Sequence, residues 1–125
     1  MKKVIKTDQA PAAIGPYSQA IQTGDMLFIS GQLGIDPSTG EMVNGGIEAQ
    51  TFQVFRNIQA ILSAAGYAMR DITKTTVFLE SMELFAAFNA IYASHFEKNY
   101  PARSTVAVKT LPKNGLVEID VIAIR

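Results

Sequence analysis

Residues 117–124 read Val-Glu-Ile-Asp-Val-Ile-Ala-Ile, and residues 101–109 read Pro-Ala-Arg-Ser-Thr-Val-Ala-Val-Lys. Both stretches are rich in β-branched residues and therefore predict strands that are half-buried in a sheet. Side chains alternate between the two faces of a strand, so Glu118 and Asp120 share one face of theirs, while Arg103 lies on one face of the other. Charges in such an apolar setting are costly unless they are paired or partly hydrated. The two strands thus predict either a structural ion pair or a site for a small charged ligand.

The composition narrows the classes of protein to which the chain could belong. A chain of 125 residues suits one compact domain, so residues 1–125 are expected to form a single domain. Hydrophobic residues make up 48% of the chain and charged residues 18%, an apolar excess that favours burial of some surface by self-association. The formal net charge is zero, which argues against nucleic acid and against acidic membranes as partners.

Two residue counts restrict the chemistry further. The chain has no cysteine, so it can form no disulfide, no thiolate nucleophile and no cysteine metal site. His95 is the one histidine, which argues against a zinc site or a Ser-His-Asp triad, and it is expected at the surface or at an interface. We therefore expect no metal. The segment Met1–Asp8 has no apolar signal-peptide core, and no apolar run approaches membrane-spanning length, so the expected location is the cytoplasm.

The pattern of apolar residues predicts the element order β-β-β-α-β-α-β-β. In chain order the predicted segments are strands at 3–6, 18–23 and 26–30, a helix at 47–65 closed by Gly66, a strand at 72–79, a helix that begins after Ser81, and the two strands quoted above. The third strand is predicted to end at Ser30–Gln32, and Asp36–Gly40 is predicted as a turn. Two amphipathic helices cover only one face of a sheet, so the other face is expected to be buried against partners.

Several ordered motifs add a family resemblance to this pattern. They are Ala12-Ala-Ile-Gly-Pro-Tyr-Ser18, Ser30-Gly-Gln32, Lys74-Thr-Thr-Val-Phe78 followed by Asn89, Pro101-Ala-Arg-Ser104, Leu111 and Val117-Glu-Ile119. Together these motifs resemble the RidA/YjgF family of reactive intermediate deaminases, and the match spans almost the whole chain.

The resemblance implies both a fold and an activity. The implied fold is an α+β, chorismate-mutase-like subunit with two helices packed on one face of a mixed sheet. Three such subunits would form a homotrimer with the sheets facing inward and ligand clefts between neighbouring chains. The implied activity is hydrolysis, without a cofactor, of reactive imines and enamines to 2-keto acids and ammonia. Its substrates would be 2-aminoacrylate with its tautomer 2-iminopropanoate, and 2-iminobutanoate.

Position in the motifs also implies a role for individual residues. The resemblance assigns Arg103 to the substrate carboxylate and Glu118 to the attacking water, and it places five further residues around the pocket: Tyr17, Ser30, Gly31, Asn89 and Thr105. A guanidinium suits the first role because it meets a carboxylate bidentately and stays charged in a partly dry cleft. Thr105 stands where many relatives have cysteine, which puts thiol-based redox behaviour in doubt but leaves a hydroxyl for the imine nitrogen.

The residues themselves also allow structural explanations. Arg103 could form an internal ion pair with Glu118 or Asp120. The other structural explanations are a packed loop anchor at Tyr17, a bulge or tight turn at Ser30 and Gly31, an amide bonded to the backbone at Asn89, and a locally bonded hydroxyl at Thr105.

Two other functions are also open. The same cleft could bind a 2-keto or 2-amino acid and regulate a partner without turnover. Ribonuclease action, attributed to some relatives, is disfavoured by the neutral charge balance and by the lack of a histidine pair or metal cluster.

Overall fold

The computed structural model describes residues 1–125 as a six-stranded mixed sheet with two helices on one of its faces. The strands of the sheet are β1 (Lys2–Ile5), β2 (Ala20–Thr23), β3 (Met26–Leu33), β6 (Ile72–Leu79), β7 (Ala102–Ala107) and β8 (Val117–Ile124); β4 (Ile35–Asp36) and β5 (Glu41–Met42) form a separate hairpin. The helices are α1 (Gly46–Ala65) and α2 (Phe85–Ser94). The strand order is β1-β2-β3-β8-β6-β7, and only β6 and β7 run parallel. The predicted α+β class and the order of the main elements are confirmed, whereas the short hairpin was not predicted.

The alternating residues of β8 decide which face of the sheet the helices cover. The covered face carries residues that are at most 2% exposed: Val117, Ile119, Val121 and Ala123. On top of them α1 packs an apolar stripe of Val54, Phe55, Ile58, Ile61 and Leu62. Full burial of each large apolar side chain contributes about 1.5–3 kcal/mol, so this layer is the main source of stability.

The crossover through α2 places β7 parallel to β6 at one edge of the sheet. Ser81 Oγ accepts a hydrogen bond from the N–H of Glu83 and caps the 3₁₀ turn Met82–Leu84, which leads directly into α2. Parallel strands need such a crossover because a tight hairpin cannot join them. In the resulting register Arg103 lies beside Thr75, which is fully buried under the helices. Arg103 therefore faces the helix-covered side of the sheet.

The third strand does not end at Ser30–Gln32 as predicted. It continues to Leu33, and its pairing with β8 shifts register between Ile29 and Gln32. Such a bulge leaves a residue unpaired and bends the strand, so the alternation of side chains breaks although the strand goes on. The bulge contains Gly31, and it forms part of the candidate site.

The face without helices exposes apolar side chains. The pairing of β2, β3 and β8 sets Ile21, Phe28 and Ile122 side by side on this face. Phe28 is 39% exposed, and Val106 on β7 is 46% exposed. Exposed apolar area of this kind is typical of an interface. Burial of this face against partners stays a prediction.

Asn57 ties α1 to the sheet and gives a test of the fold. Its side chain is fully buried, and Nδ2 donates to the carbonyls of Leu33 at 3.1 Å and Ile35 at 2.9 Å. We expect Asn57→Ala to lower the free energy of unfolding by about 1–3 kcal/mol, because it leaves buried carbonyls without partners. Urea denaturation measures this loss. Gln59→Ala, at an exposed position of the same helix, is the control, and equal losses in both variants would contradict the assignment.

Candidate functional site

The side chain of Arg103 contacts α2, and all of its partners on that helix are neutral. Its Nη1 donates to Asn89 Oδ1 at 2.8 Å. The guanidinium carbon lies 4.7 Å from the ring centre of Tyr92, 5.6 Å from that of Phe85 and 5.9 Å from that of Phe88. Cation–π contacts of this kind stabilise by about 0.5–2 kcal/mol each and leave the charge in place. The guanidinium is therefore held in position while most of its N–H donors are left for another acceptor.

The aromatic residues around Arg103 also belong to the hydrophobic core, in which Phe88 and Tyr92 are buried and against which Phe85 packs. The hydroxyl of Tyr92 is 2.8 Å from Thr75 Oγ1, which fixes the ring that lies closest to the guanidinium. Burial raises the pKa of Tyr92, against the opposing effects of the Thr75 hydrogen bond and the Arg103 charge. The phenol thus stays neutral at physiological pH and does not pair with the cation as a phenolate.

Thr105 follows on the same face of β7 and has a buried hydroxyl without a hydrogen-bond partner. Local bonding of this hydroxyl, one of its structural explanations, is therefore wrong. An unsatisfied buried hydroxyl costs about 1–3 kcal/mol, so the position favours a partner from outside the chain. We call Asn89, Arg103 and Thr105 the cation group.

Glu118 lies on the opposite face of the sheet, where it pairs in register with Leu33 on β3 and Phe78 on β6. Gly31 packs directly against it: a Cβ at this glycine would lie 2.9 Å from the carboxyl carbon of Glu118. A side chain at this position would push the Glu118 carboxylate away, so glycine here serves the contact with the carboxylate and not a special φ angle.

Two neighbouring carboxylates change the protonation of this face. Burial raises the pKa of Glu118, and the negative charge of Asp120 raises it further. Burial also raises the pKa of Asp120, although a hydrogen bond with Thr76 and the charge of Lys74 oppose the shift. Glu118 therefore takes up a proton at a higher pH than an ordinary glutamate, as a group that accepts and returns protons needs to do.

A cavity of about 620 Å³ opens beside Glu118, and its lining includes Tyr17, Ser30 and Gly31. The ring of Tyr17 is 53% exposed on the loop before β2, so it is not a buried loop anchor. Ser30 Oγ donates to the carbonyl of Ser18 at 2.6 Å, and its backbone N–H donates to the carbonyl of Gln19 at 3.0 Å. The Ser30 N–H is thus not free to bind an anion. We call Tyr17, Ser30, Gly31 and Glu118 the carboxylate group.

The predicted site residues therefore form two groups that do not meet within one chain. Arg103 faces the helix-covered side of the sheet, and Glu118 and Asp120 face the other side. The proposed internal ion pair is accordingly wrong, because a sheet lies between the charges. Each group is open to a partner, and neither supplies by itself both a cation and a carboxylate.

Other residues lie differently from what the sequence suggested. His95 is half-buried within the chain, stacked on Phe55 at 4.2 Å between ring centres, with Nδ1 2.9 Å from the carbonyl of Ile91. His95 is thus only partly at the surface, and its place at an interface stays a prediction. Sequence reasoning also missed Gln19, which is 4% exposed, and its only signal was its place at the end of the loop that carries Tyr17. No three His, Cys, Asp or Glu residues lie together as metal ligands, and neither helix is long and apolar enough to cross a membrane.

Comparison with known proteins gives consistent matches along the chain. The model of the family described as Endoribonuclease L-PSP matches residues 7–125. A RutC family protein of Pyrococcus horikoshii is 55% identical over 98% of this chain and 98% of its own length. A 2-iminobutanoate/2-iminopropanoate deaminase of Mus musculus is 46% identical over 100% of this chain and 93% of its own length. The crystal structure of E. coli TdcF with bound serine matches with a TM-score of 0.94 at 42% identity, over 98% of both chains.

Replacing Glu118 by glutamine should stabilise the chain at neutral pH. Because the pKa of Glu118 is raised by burial, the folded state binds more protons than the unfolded state between the ordinary carboxyl pKa and the raised one. Glu118 contributes its full stabilisation below the ordinary carboxyl pKa, and this contribution is lost as the pH rises through the raised pKa. Glu118→Gln removes that loss, so its free energy of unfolding should exceed that of the wild type at neutral pH, and the excess should shrink in acid.

Urea denaturation at a series of pH values measures this difference. Glu80→Gln, at an exposed position just after β6, is the matched control and should leave the pH dependence of stability unchanged. A Glu118→Gln variant that is less stable than the wild type at neutral pH would show that the carboxylate is stabilised, not strained, at this position.

Proposed function

This chain belongs to the RidA/YjgF family, the family described as Endoribonuclease L-PSP, and on that premise we propose that it hydrolyses 2-imino acids and their enamine tautomers to 2-keto acids and ammonia. The proposed substrates are 2-aminoacrylate with 2-iminopropanoate, and 2-iminobutanoate, as in the name of the mouse relative. The observation that carries the proposal is Arg103, a half-buried cation with an amide and three aromatic rings for partners and with donors to spare. The proposed reaction needs no cofactor, and we propose the cytoplasm as its location.

In this proposal Arg103 binds the substrate carboxylate. A guanidinium has five N–H donors, of which the bond to Asn89 uses one, so a bidentate pair with a carboxylate is possible. The unpartnered hydroxyl of Thr105, two residues along the same face, would then reach the imine nitrogen. These two contacts would hold the substrate by its carboxylate and by its imine nitrogen, and so fix the position of the C=N carbon.

Glu118 is proposed to move the protons. As a carboxylate it takes a proton from water while the water oxygen attacks the iminium carbon, which gives a tetrahedral carbinolamine. Glu118 then returns the proton to the amine nitrogen, the C–N bond breaks with its electron pair on nitrogen, and ammonia leaves. Glu118, by then a carboxylate again, takes the proton of the hydroxyl as the C=O bond of the keto acid forms, and that proton passes through solvent to the released ammonia. The raised pKa of Glu118 favours both halves of this exchange.

Two chains are needed for this chemistry, because Arg103 and Glu118 face opposite sides of one sheet. We propose that the cation group of one subunit meets the carboxylate group of its neighbour in a homotrimer whose sheets face inward. The exposed apolar residues on the helix-free face, among them Phe28 and Val106, support this association.

A second candidate function is binding without turnover. The structure of the E. coli relative contains bound serine. In a regulatory module, a cation that binds a carboxylate would likewise bind an amino acid or a keto acid. Ribonuclease action, named in the description of the family, is the least favoured function, because the net charge is zero and no histidine pair is present.

Turnover separates the enzyme from the binding module. We expect the protein to accelerate pyruvate formation from 2-aminoacrylate that a dehydratase generates from serine. Glu118→Ala should reduce the rate by about 10²–10⁴-fold, while the affinity for 2-ketobutyrate, measured by calorimetry, stays near that of the wild type. Arg103→Ala should weaken that affinity by about 10–100-fold. Lys109→Ala, which removes an exposed cation after β7, is the control. A wild-type rate equal to the spontaneous one would favour the binding module.

Mixing two inactive variants tests the shared site. Unfolded Arg103→Ala and Glu118→Ala chains, refolded together in equal amounts, should regain about a quarter of wild-type activity, because one interface in about four joins an intact Arg103 to an intact Glu118. Each variant refolded alone should stay inactive. Mixed protein that is as inactive as its components, although it forms trimers, would contradict a site shared between chains.

A further inference from the structure

The loop between β1 and β2 carries Tyr17 to the cavity but has few bonds of its own. It spans residues 6–19, and its one backbone–backbone hydrogen bond within those limits joins the N–H of Tyr17 to the carbonyl of Gly15 at 2.8 Å. Two prolines and a glycine stiffen or bend it locally, but neither type of residue attaches it to the sheet. Its position must therefore come from side-chain contacts.

Gln19 makes most of those contacts. Its Nε2 donates to the carbonyls of Thr7 at 2.9 Å, Pro11 at 2.8 Å and Ala10 at 3.3 Å. Its Oε1 accepts the N–H of Thr7 at 2.7 Å. The side chain is 4% exposed, so these bonds are shielded from water and its polar atoms are committed to the loop. The amide N–H groups of Gln19 are thus already used within the loop.

The backbone of Gln19 reaches the other wall of the cavity. Its carbonyl accepts the N–H of Ser30 at 3.0 Å, directly beside the bulge that brings Gly31 against Glu118. One residue therefore holds both the loop of Tyr17 and the strand segment behind the carboxylate. A change in its side chain would free the loop while leaving the strand pairing intact.

We propose that Gln19 is a positioning residue that fixes the Tyr17 loop over the cavity of the carboxylate group. The proposal rests on the proposed function in so far as that cavity binds the substrate. Gln19 acts through Tyr17 and not on the substrate, so its loss changes the place of the phenol ring without changing the chemistry of Arg103 or Glu118. A misplacement of about 1 Å at such a ring can cost about 10²-fold in rate.

Gln19→Glu tests the proposal with little change in shape. The new carboxylate removes the donors and sets an oxygen against the three carbonyls, so the loop should detach. Hydrogen exchange of the Thr7 and Tyr17 amides, whose N–H groups are bonded within the loop, should become at least about tenfold faster, while exchange in α1 and β8 stays at the wild-type rate. Gln9→Glu, an exposed change in the same loop, is the matched control and should alter neither region. Gln19→Met removes the same bonds without adding charge and serves if Gln19→Glu does not fold.

A double-mutant cycle with Tyr17→Ala separates positioning from general destabilisation. With 2-aminoacrylate as substrate, kcat/KM should fall by about 10–100-fold in Gln19→Glu, and Tyr17→Ala should then add little, because residues that act as one unit are not additive. Additive losses in the cycle would overturn the proposal, as would wild-type exchange of the Thr7 and Tyr17 amides in Gln19→Glu. If the wild type shows no turnover, only the proposed function fails. Hydrogen exchange in the loop and the affinity for 2-ketobutyrate then still decide the role of Gln19.

Discussion

Arg103 keeps a positive charge inside the chain without an acidic partner, and the proposed chemistry depends on that charge. Asn89 and the rings of Tyr92, Phe85 and Phe88 hold the guanidinium by its N–H edge and by its faces. Neutral partners of this kind hold the guanidinium in position but do not neutralise its charge. A carboxylate at the same place would occupy the donors, and an anionic ligand would then have to displace it. The aromatic helix α2 is therefore both a part of the core and the support of the cation that we propose as the substrate-binding group.

The register of the sheet separates this cation from the carboxylate that the chemistry requires. Arg103 lies beside Thr75 under the helices, and Glu118 lies beside Phe78 on the free face. A shift of one residue in either strand would reverse the face of every side chain and bury a polar set in the core, so the separation is as firmly determined as the core itself. In the proposed function, self-association is therefore part of the site and not only a source of stability.

Local pattern was enough to predict most of the elements and the faces of the charged residues. The strand at 72–79 and the end of α1 at Gly66 follow from β-branched runs, helical spacing and a left-handed glycine, all of which act over a few residues. The pairing of β8 between β3 and β6 links distant parts of the chain, and no local signal encodes it. For the same reason the sequence left open an ion pair at Arg103, could not decide between a bulge and a tight turn at Ser30 and Gly31, and gave no sign of the bonds made by Gln19. The family motifs supplied the site residues, but the division of these residues between two faces came only from the register.

The central place of β8 has a consequence for how the chain acquires its structure. β8 follows every other element in the sequence, yet it fills the gap between β3 and β6. During synthesis the earlier strands emerge without their central neighbour, so their apolar faces and open edges stay unprotected until the final segment arrives. Contacts of such large sequence separation also slow folding, because closing the intervening loops costs entropy before any pairing repays it. Nascent chains that stop short of β8 should thus be the form of this protein most in need of a chaperone.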